Sequence, residues 1–358
     1  MRRIFLIALL VLLLIPKTAF GISQELLEEM PQEVQGLWET AEQENVQDTW
    51  QGGLRQLWGK TLDFLSTELW EKLRSVTLVL LTAILCGIAE CAYQTADNSK
   101  APNFVPLAGT IVITLIVAGN MQTMIGLGRE TISQLHLLSE TLLPALSAAV
   151  SASGGIVSAS VRQVATVLFC EILIALIQNL FLPLLNVLIL LSAADSVLPG
   201  QHLGKMTELL RKCVIWLLTG ALILFTGYLT LSGAAAGAAD NLTARVTRSA
   251  ISTVVPVVGG IISDATGSVL AGAAMLKSSI GILGMLGVLT ICLEPFLSLG
   301  IQYLLYKGAA LLAGLAGDSL SGYINALSST FGLLLGMTGS CGLLLLISIC
   351  SSVSVVIT

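Results

Sequence analysis

Long uninterrupted apolar runs are the feature that most restricts what this chain can fold into. Several runs of about 18 or more apolar residues occur between Ser75 and the C-terminus, and a helix needs a run of that length to cross a bilayer. Only 11% of the 358 residues are charged, against roughly 25% in soluble domains. Outer-membrane barrels require short alternating strands instead. The sequence therefore predicts an all-α, polytopic helical membrane protein with six to eight transmembrane helices.

The N-terminus has the organisation of a secretory signal peptide. Arg2 and Arg3 precede an apolar core, and Ala19 and Gly21 fit the small-residue positions of a cleavage site. Residues 1–21 are therefore predicted to be a signal peptide or an uncleaved anchor. The segment that begins after Gly21 should lie outside the cytoplasm.

The next segment, 22–74, is polar and acidic. It holds eleven of the 22 acidic residues and four of the five tryptophans, and its apolar residues recur at helical spacing. Two compatible interpretations are an amphipathic helix along a partner helix or the lipid headgroups, and a docking arm for an extracytoplasmic protein. No basic patch of the kind that neutralises phosphates occurs, so the sequence predicts no nucleic-acid binding.

Residues 75–358 are predicted to form the transmembrane domain. Mixed and small-residue stretches near 122–160 and 233–278 are predicted to be re-entrant or interfacial helices rather than spans. The expected later spans are Val214–Leu231, Ile280–Leu299, Ile301–Leu315 and Phe331–Val355.

The apolar run 161–198 is interrupted by Pro183 and is longer than one span requires. It predicts either one span with a kinked extension or a tight pair of spans. The loop 199–213 carries the densest basic cluster between spans, which places it in the cytoplasm by the positive-inside rule. This placement favours the single span.

The most unusual charges are Arg245, Arg248 and Asp264, which lie among apolar segments. On a helix the two arginines share one polar stripe, and Pro256 is expected to end that helix before Asp264. Charges of this kind must be covered by protein or water rather than lipid. The three residues are therefore predicted to form a charged element at an assembly or conduit surface.

Glu171 and Glu294 are the second candidates because each lies inside an apolar run, where a carboxylate costs about 2.5 to 3.5 kcal/mol. Each is interpreted either as a buried link between helices or as the polar lining of a conduit. Small residues that allow close helix approach are interpreted as internal packing or as a surface for homo-oligomer formation. These are Gly281, Gly284, Gly287, Gly332 and Gly336.

The sequence predicts no catalytic, cofactor-binding or metal site. His136 and His202 are the only histidines, and neither is credited with a cysteine, histidine or carboxylate at ligand spacing. The seven cysteines all lie in or beside apolar runs and are interpreted as packing residues. No nucleophile elbow occurs, so an enzyme is not expected.

Two stretches carry a resemblance to a known family. They are "VVPVVGGIISDATGSVLAGAAMLKSSIGILG" (254–284) and "LAGLAGDSLSGYINALSS" (312–329). Together with the order of signal peptide, acidic segment and glycine-rich spans, they resemble the stage III sporulation protein AE family over about residues 75–358.

The resemblance implies a multi-pass protein of the mother-cell membrane around the forespore, with the acidic segment extracytoplasmic. It also implies a non-enzymatic role in a channel or secretion-like complex whose other members include an ATPase and ring-forming proteins. The residues alone leave two alternatives open. One is a self-sufficient secondary transporter for a small solute or ion, and the other is a purely structural membrane anchor.

Overall fold

The structure is a computed structural model that describes residues 46–95, 104–197, 202–254, 259–315 and 318–353. Side chains are described for most of these residues, the main exceptions being 233–271 and much of 46–68. The predicted signal peptide and the first half of the acidic segment lie outside the described residues.

The described part of the chain is built from helices and contains no strand. A bilayer demands apolar side chains, which this sequence provides, and backbone groups that are hydrogen-bonded within the segment, which a helix provides. The elements are α1 (Val46–Thr95), α2 (Val105–Ala152), α3 (Ile156–Leu176), a π-helical turn (Ile177–Phe181), α4 (Leu182–Val197), α5 (His202–Val254), α6 (Gly259–Gly314) and α7 (Asp318–Val353).

Six of the helical segments in the described residues are long and apolar enough to cross a membrane, which confirms the all-α polytopic prediction. They are Leu69–Tyr93, Val105–Ala152, Ala159–Val197, Leu203–Ser232, Gly272–Gly314 and Leu320–Val353. Several helices exceed what a bilayer needs. The 48 residues of α2 extend for about 72 Å, against a hydrocarbon core of about 30 Å.

Pro183 does not divide its apolar run into two spans. The chain is helical from Ile156 to Val197, with the π-helical turn just before the proline. Proline has no N–H to donate to the carbonyl of Asn179, four residues earlier, and a widened turn is a common way for a helix to accommodate such a gap. The favoured prediction of a single extended span agrees with this continuous helix.

Two expected boundaries are wrong. The basic residues predicted to lie in the loop 199–213 are Lys205, Arg211 and Lys212, and all three lie in the first turns of α5, which is described from His202. The predicted division between Leu299 and Ile301 is absent because α6 runs unbroken from Gly259 to Gly314. A glycine in a membrane-spanning helix keeps its backbone hydrogen bonds, so Gly300 does not end the helix.

A tight turn folds α2 back on α3. Only Ser153, Gly154 and Gly155 separate the two helices, and Gly154 has a φ of 97°, which glycine adopts without the penalty of a Cβ atom. The segment 122–152 is continuous with the second span in α2, so its predicted interfacial position stays a prediction.

The helices α6 and α7 form the centre of the bundle. They make the most extensive pairwise contact, α1 and α2 pack against α6, and α2, α3, α4 and α5 all contact α7. Tyr306 and Phe331 are fully buried between α6 and α7, with ring centroids 5.2 Å apart. Large side chains therefore fill the middle of the described bundle.

Candidate functional site

The charged element predicted first lies on two helices. Arg245 and Arg248 fall on α5 and Asp264 on α6, in the part where side chains are not described. The described part of α5 ends at Val254, and the expected break at Pro256 lies outside the described residues. Arg245 is about 20 Å along the helix axis beyond Leu231, where the sequence predicts that the span ends. The role of the three residues stays a prediction.

Glu171 and Glu294 both lie on outward faces of the described bundle. The Glu171 side chain is 58% exposed and lies beside His136 of α2. Glu294 is exposed on α6, beside the buried Pro295. Within this chain neither carboxylate is enclosed, so each faces lipid, water or another polypeptide.

The predicted packing glycines divide into an inner and an outer set. A Cβ atom on Gly281 would overlap the side chain of Val353, one on Gly284 would meet Leu142 at 2.5 Å, and one on Gly332 would meet Tyr303 at 3.2 Å. Gly287 is also buried. Gly336 is the one exposed glycine of the five and has open space around it, and Gly332 is partly exposed.

A buried polar cluster, which sequence reasoning missed, joins α1, α2 and α6. Lys72 is 6% exposed, and its Nζ donates a hydrogen bond of 2.8 Å to Oγ of Ser298. One turn along α6, the side chain of Gln302 donates to Oδ1 of Asn120 at 3.2 Å. Tyr306 follows after another turn.

Part of this polar cluster lacks partners. The hydroxyl of Tyr306 lies beside the side chains of Ser75 and Asn120, but neither it nor Nδ2 of Asn120 nor Oε1 of Gln302 makes a hydrogen bond of good geometry among the described residues. Buried polar groups of this kind normally bind ordered water or a ligand. The available sequence signal was the spacing of Ser298, Gln302 and Tyr306, four residues apart on one face of a helix.

Further polar links join other helix pairs inside the bundle. Hydroxyl and amide side chains provide most of them, as they often do between membrane helices, and in one link the ammonium group of Lys307 is the donor. They are Thr110–Ser196 at 2.8 Å, Thr114–Tyr323 at 2.8 Å, Lys307–Asn325 at 2.6 Å and Thr166–Ser348 at 2.5 Å.

A second cluster lies on the outside of the α2–α3 hairpin. Nε2 of His136 is 3.5 Å from a carboxylate oxygen of Glu140 and 3.6 Å from one of Glu171. The prediction that His136 has no carboxylate at ligand spacing is wrong, because Glu140 follows four residues later on the same helix face. The tight turn at Gly154 then brings Glu171 to the same level.

An open groove of about 330 Å³ runs between α5 and α7. Apolar residues of both helices line it, together with Gly332 and Gly336, and Arg211 borders it. At Gly332 and Gly336 no side chain keeps a bound group away from the backbone of α7. The groove is a surface to which a second helix or a lipid chain could bind.

Comparison with known proteins identifies the family. The family model described as "Stage III sporulation protein AE" matches residues 37–356. The chain is 27% identical over 257 residues to the Stage III sporulation protein AE of Bacillus subtilis (strain 168), an alignment that covers 71% of this chain and 64% of that relative. No solved structure matches. The match over nearly the whole chain means that it belongs to the stage III sporulation protein AE family.

Proposed function

We propose that this chain is an integral membrane component of a complex that connects the mother cell to the forespore during endospore formation. Membership of a stage III sporulation family carries the proposal, and six candidate spans are consistent with a multi-pass protein of the mother-cell membrane. The expected partners are the ATPase, the ring-forming proteins and the other membrane proteins of that complex, in addition to the surrounding lipid.

The distribution of packing supports a role in assembly. The middle of the described bundle is filled by Tyr306, Tyr323 and Phe331, all of which are fully buried. Its outer helices present large apolar side chains, such as Trp70 at 77% and Trp216 at 75% exposure. A conduit that includes this subunit would therefore run along its surface, between it and its neighbours, rather than through its core.

A secondary transporter is the second candidate, and the buried polar cluster is the observation in its favour. Intramembrane polar groups with unsatisfied atoms are where transporters bind substrates and coupling ions. A transporter would catalyse gradient-driven uptake when purified alone into liposomes. A channel subunit would be inert there and would act only with its partners.

The decisive experiment is site-specific photo-crosslinking in sporulating cells. A photoreactive amino acid at Trp216, on an exposed face, should give adducts with other proteins of the complex. The same probe at Phe331, inside the bundle, should give none. A strain without the chain should stop at stage III and be rescued by the variants that crosslink.

Two outcomes would contradict the proposal. One is an absence of protein adducts at Trp216 and at several other exposed positions, which would indicate that these faces contact only lipid. The other is gradient-driven uptake by the purified chain, which would favour the transporter.

A further inference from the structure

The outward cluster on the α2–α3 hairpin has the composition of a metal site. We propose that His136, Glu140 and Glu171 bind a divalent transition-metal cation of the Zn²⁺ type and that this ion joins α2 to α3. This inference does not depend on the proposed function of the chain in sporulation.

The distances fit such an ion. Zn²⁺ binds histidine nitrogen and carboxylate oxygen at about 2.0 to 2.2 Å, so neighbouring ligand atoms around a tetrahedral ion lie about 3.3 to 3.5 Å apart. The observed separations from His136 Nε2 are 3.5 Å and 3.6 Å, and ligand atoms of all three residues lie within 4.8 Å of one another. Small rotations of the exposed carboxylates complete the geometry.

The backbone holds the three residues in position without help from the ion. His136 and Glu140 occupy adjacent turns of α2, on one face. His136 and Glu171 lie at nearly equal distances along the chain from Gly154, whose positive φ allows the tight turn. An antiparallel hairpin therefore brings the two residues to the same level.

The charges of the cluster favour a cation. Two carboxylates meet on a surface whose other exposed residues include Leu137, Val164 and Leu168. Among the side chains that the structure describes, His136 is the only basic one at ion-pair distance from either carboxylate. Two carboxylates at this separation repel each other, and a divalent cation bound between them would remove that repulsion.

The ligand set selects the kind of ion. Imidazole suits Zn²⁺ and its neighbours in the transition series, whereas Mg²⁺ and Ca²⁺ prefer oxygen ligands alone. Three protein ligands leave one position open toward the outside, since the side chains of Glu140 and Glu171 are 60% and 58% exposed. His136 Nδ1 is buried and has no hydrogen-bond partner among the described residues. The site therefore lacks the usual second-shell support, and moderate affinity is expected.

The test is calorimetric titration of the purified full-length chain in detergent with Zn²⁺. Exposed thiols at Cys91, Cys213 and Cys350 are alkylated first, because thiolates bind Zn²⁺ on their own. We expect one ion per chain. His136→Gln and Glu171→Gln should each weaken binding at least about 100-fold, because even the loss of a second-shell partner weakens metal sites by about 10- to 100-fold.

Glu294→Gln is the matched control, because Glu294 is also an exposed carboxylate on an outer face. It should bind Zn²⁺ like the unmodified chain. Zn²⁺ should also raise the melting temperature of the unmodified chain and of Glu294→Gln but not of Glu171→Gln. Glu171 is exposed, so its replacement leaves the fold intact.

Two results would overturn the proposal. Unchanged binding in His136→Gln and Glu171→Gln would show that the ion binds elsewhere, at thiols or non-specifically. An absence of binding to the unmodified chain at millimolar Zn²⁺ would show that the cluster is only a histidine–carboxylate contact.

Discussion

The central pair α6–α7 and the outer helices α1 and α5 use similar apolar sequences in different ways. In their most apolar windows, 61% of α6 and 67% of α7 residues are buried inside the described bundle, against 22% for the spans of both α1 and α5. Hydropathy does not separate the two groups, since both have strongly apolar spans. Small residues distinguish the two groups, because two helices approach closely only where small residues lie on the side that is buried between them. The comparison indicates a scaffold pair surrounded by helices whose outer faces are left for lipid or partners.

The largest expected effect comes from overfilling the scaffold. Gly284→Leu would place a side chain against Leu142, whose atoms already lie within 2.5 to 3.3 Å of where a Cβ would be. We expect the free energy of unfolding to fall by about 3 kcal/mol or more, with loss of folded protein in a detergent melting assay. Gly336→Leu, in open space, should melt within about 0.5 kcal/mol of the unmodified chain. Equal losses of stability in the two variants would mean that Gly284 is packed no more tightly than the exposed Gly336.

An intermediate effect is expected where an outer helix is attached to the scaffold. Lys72→Ala removes the hydrogen bond from α1 to Ser298 of α6 and leaves a space in a buried site. The free energy of unfolding should fall by about 1 to 3 kcal/mol, measured by thermal or SDS-induced unfolding. Lys212→Ala is the control. Its side chain is 71% exposed and pairs only with Glu208 among the described residues, so its melting temperature should not change.

The smallest effect on stability is expected on the outer face of α5. Trp216 is 75% exposed, so Trp216→Ala should change the free energy of unfolding by less than about 0.5 kcal/mol. If this face contacts a partner, the same variant should recover less of the complex on co-purification from sporulating cells. A large drop in stability of the isolated chain would indicate that α5 belongs to the scaffold.

Local patterns predicted the elements of this fold better than its contacts. The apolar runs predicted the helices, and the small residues at Gly281 and Gly284 predicted close packing. The effect of Pro183 is harder to predict, because whether a proline ends a helix depends on how the surrounding turn widens. The sequence predicts a boundary at Gly300 that the structure lacks, because the sequence alone does not show how the flanking helix is supported.

The buried polar cluster and the His136 cluster depend on contacts between helices, which the spacing of residues within one helix does not predict. The sequence assigns Lys72 to the polar acidic segment and gives no sign of its burial, which results only from the position of α6 beside α1. For the His136 cluster a signal was available in part. Glu140 lies four residues away on the same helix, and Gly154 lies midway between His136 and Glu171. The charged element at Arg245, Arg248 and Asp264 stays a prediction.

The continuity of α1 has a mechanical consequence. The described helix runs unbroken from Val46 to Thr95, and the sequence predicts that the transmembrane domain begins at about Ser75, so about 40 Å of the same helix precedes it. An unbroken helix behaves as a stiff lever, and near the start of the span Lys72 fastens it to the scaffold. A force applied to the part of α1 that precedes the transmembrane domain would therefore act as a torque on α6. A partner that moves this part of α1 could change the packing inside the bundle, because no flexible joint lies between the two.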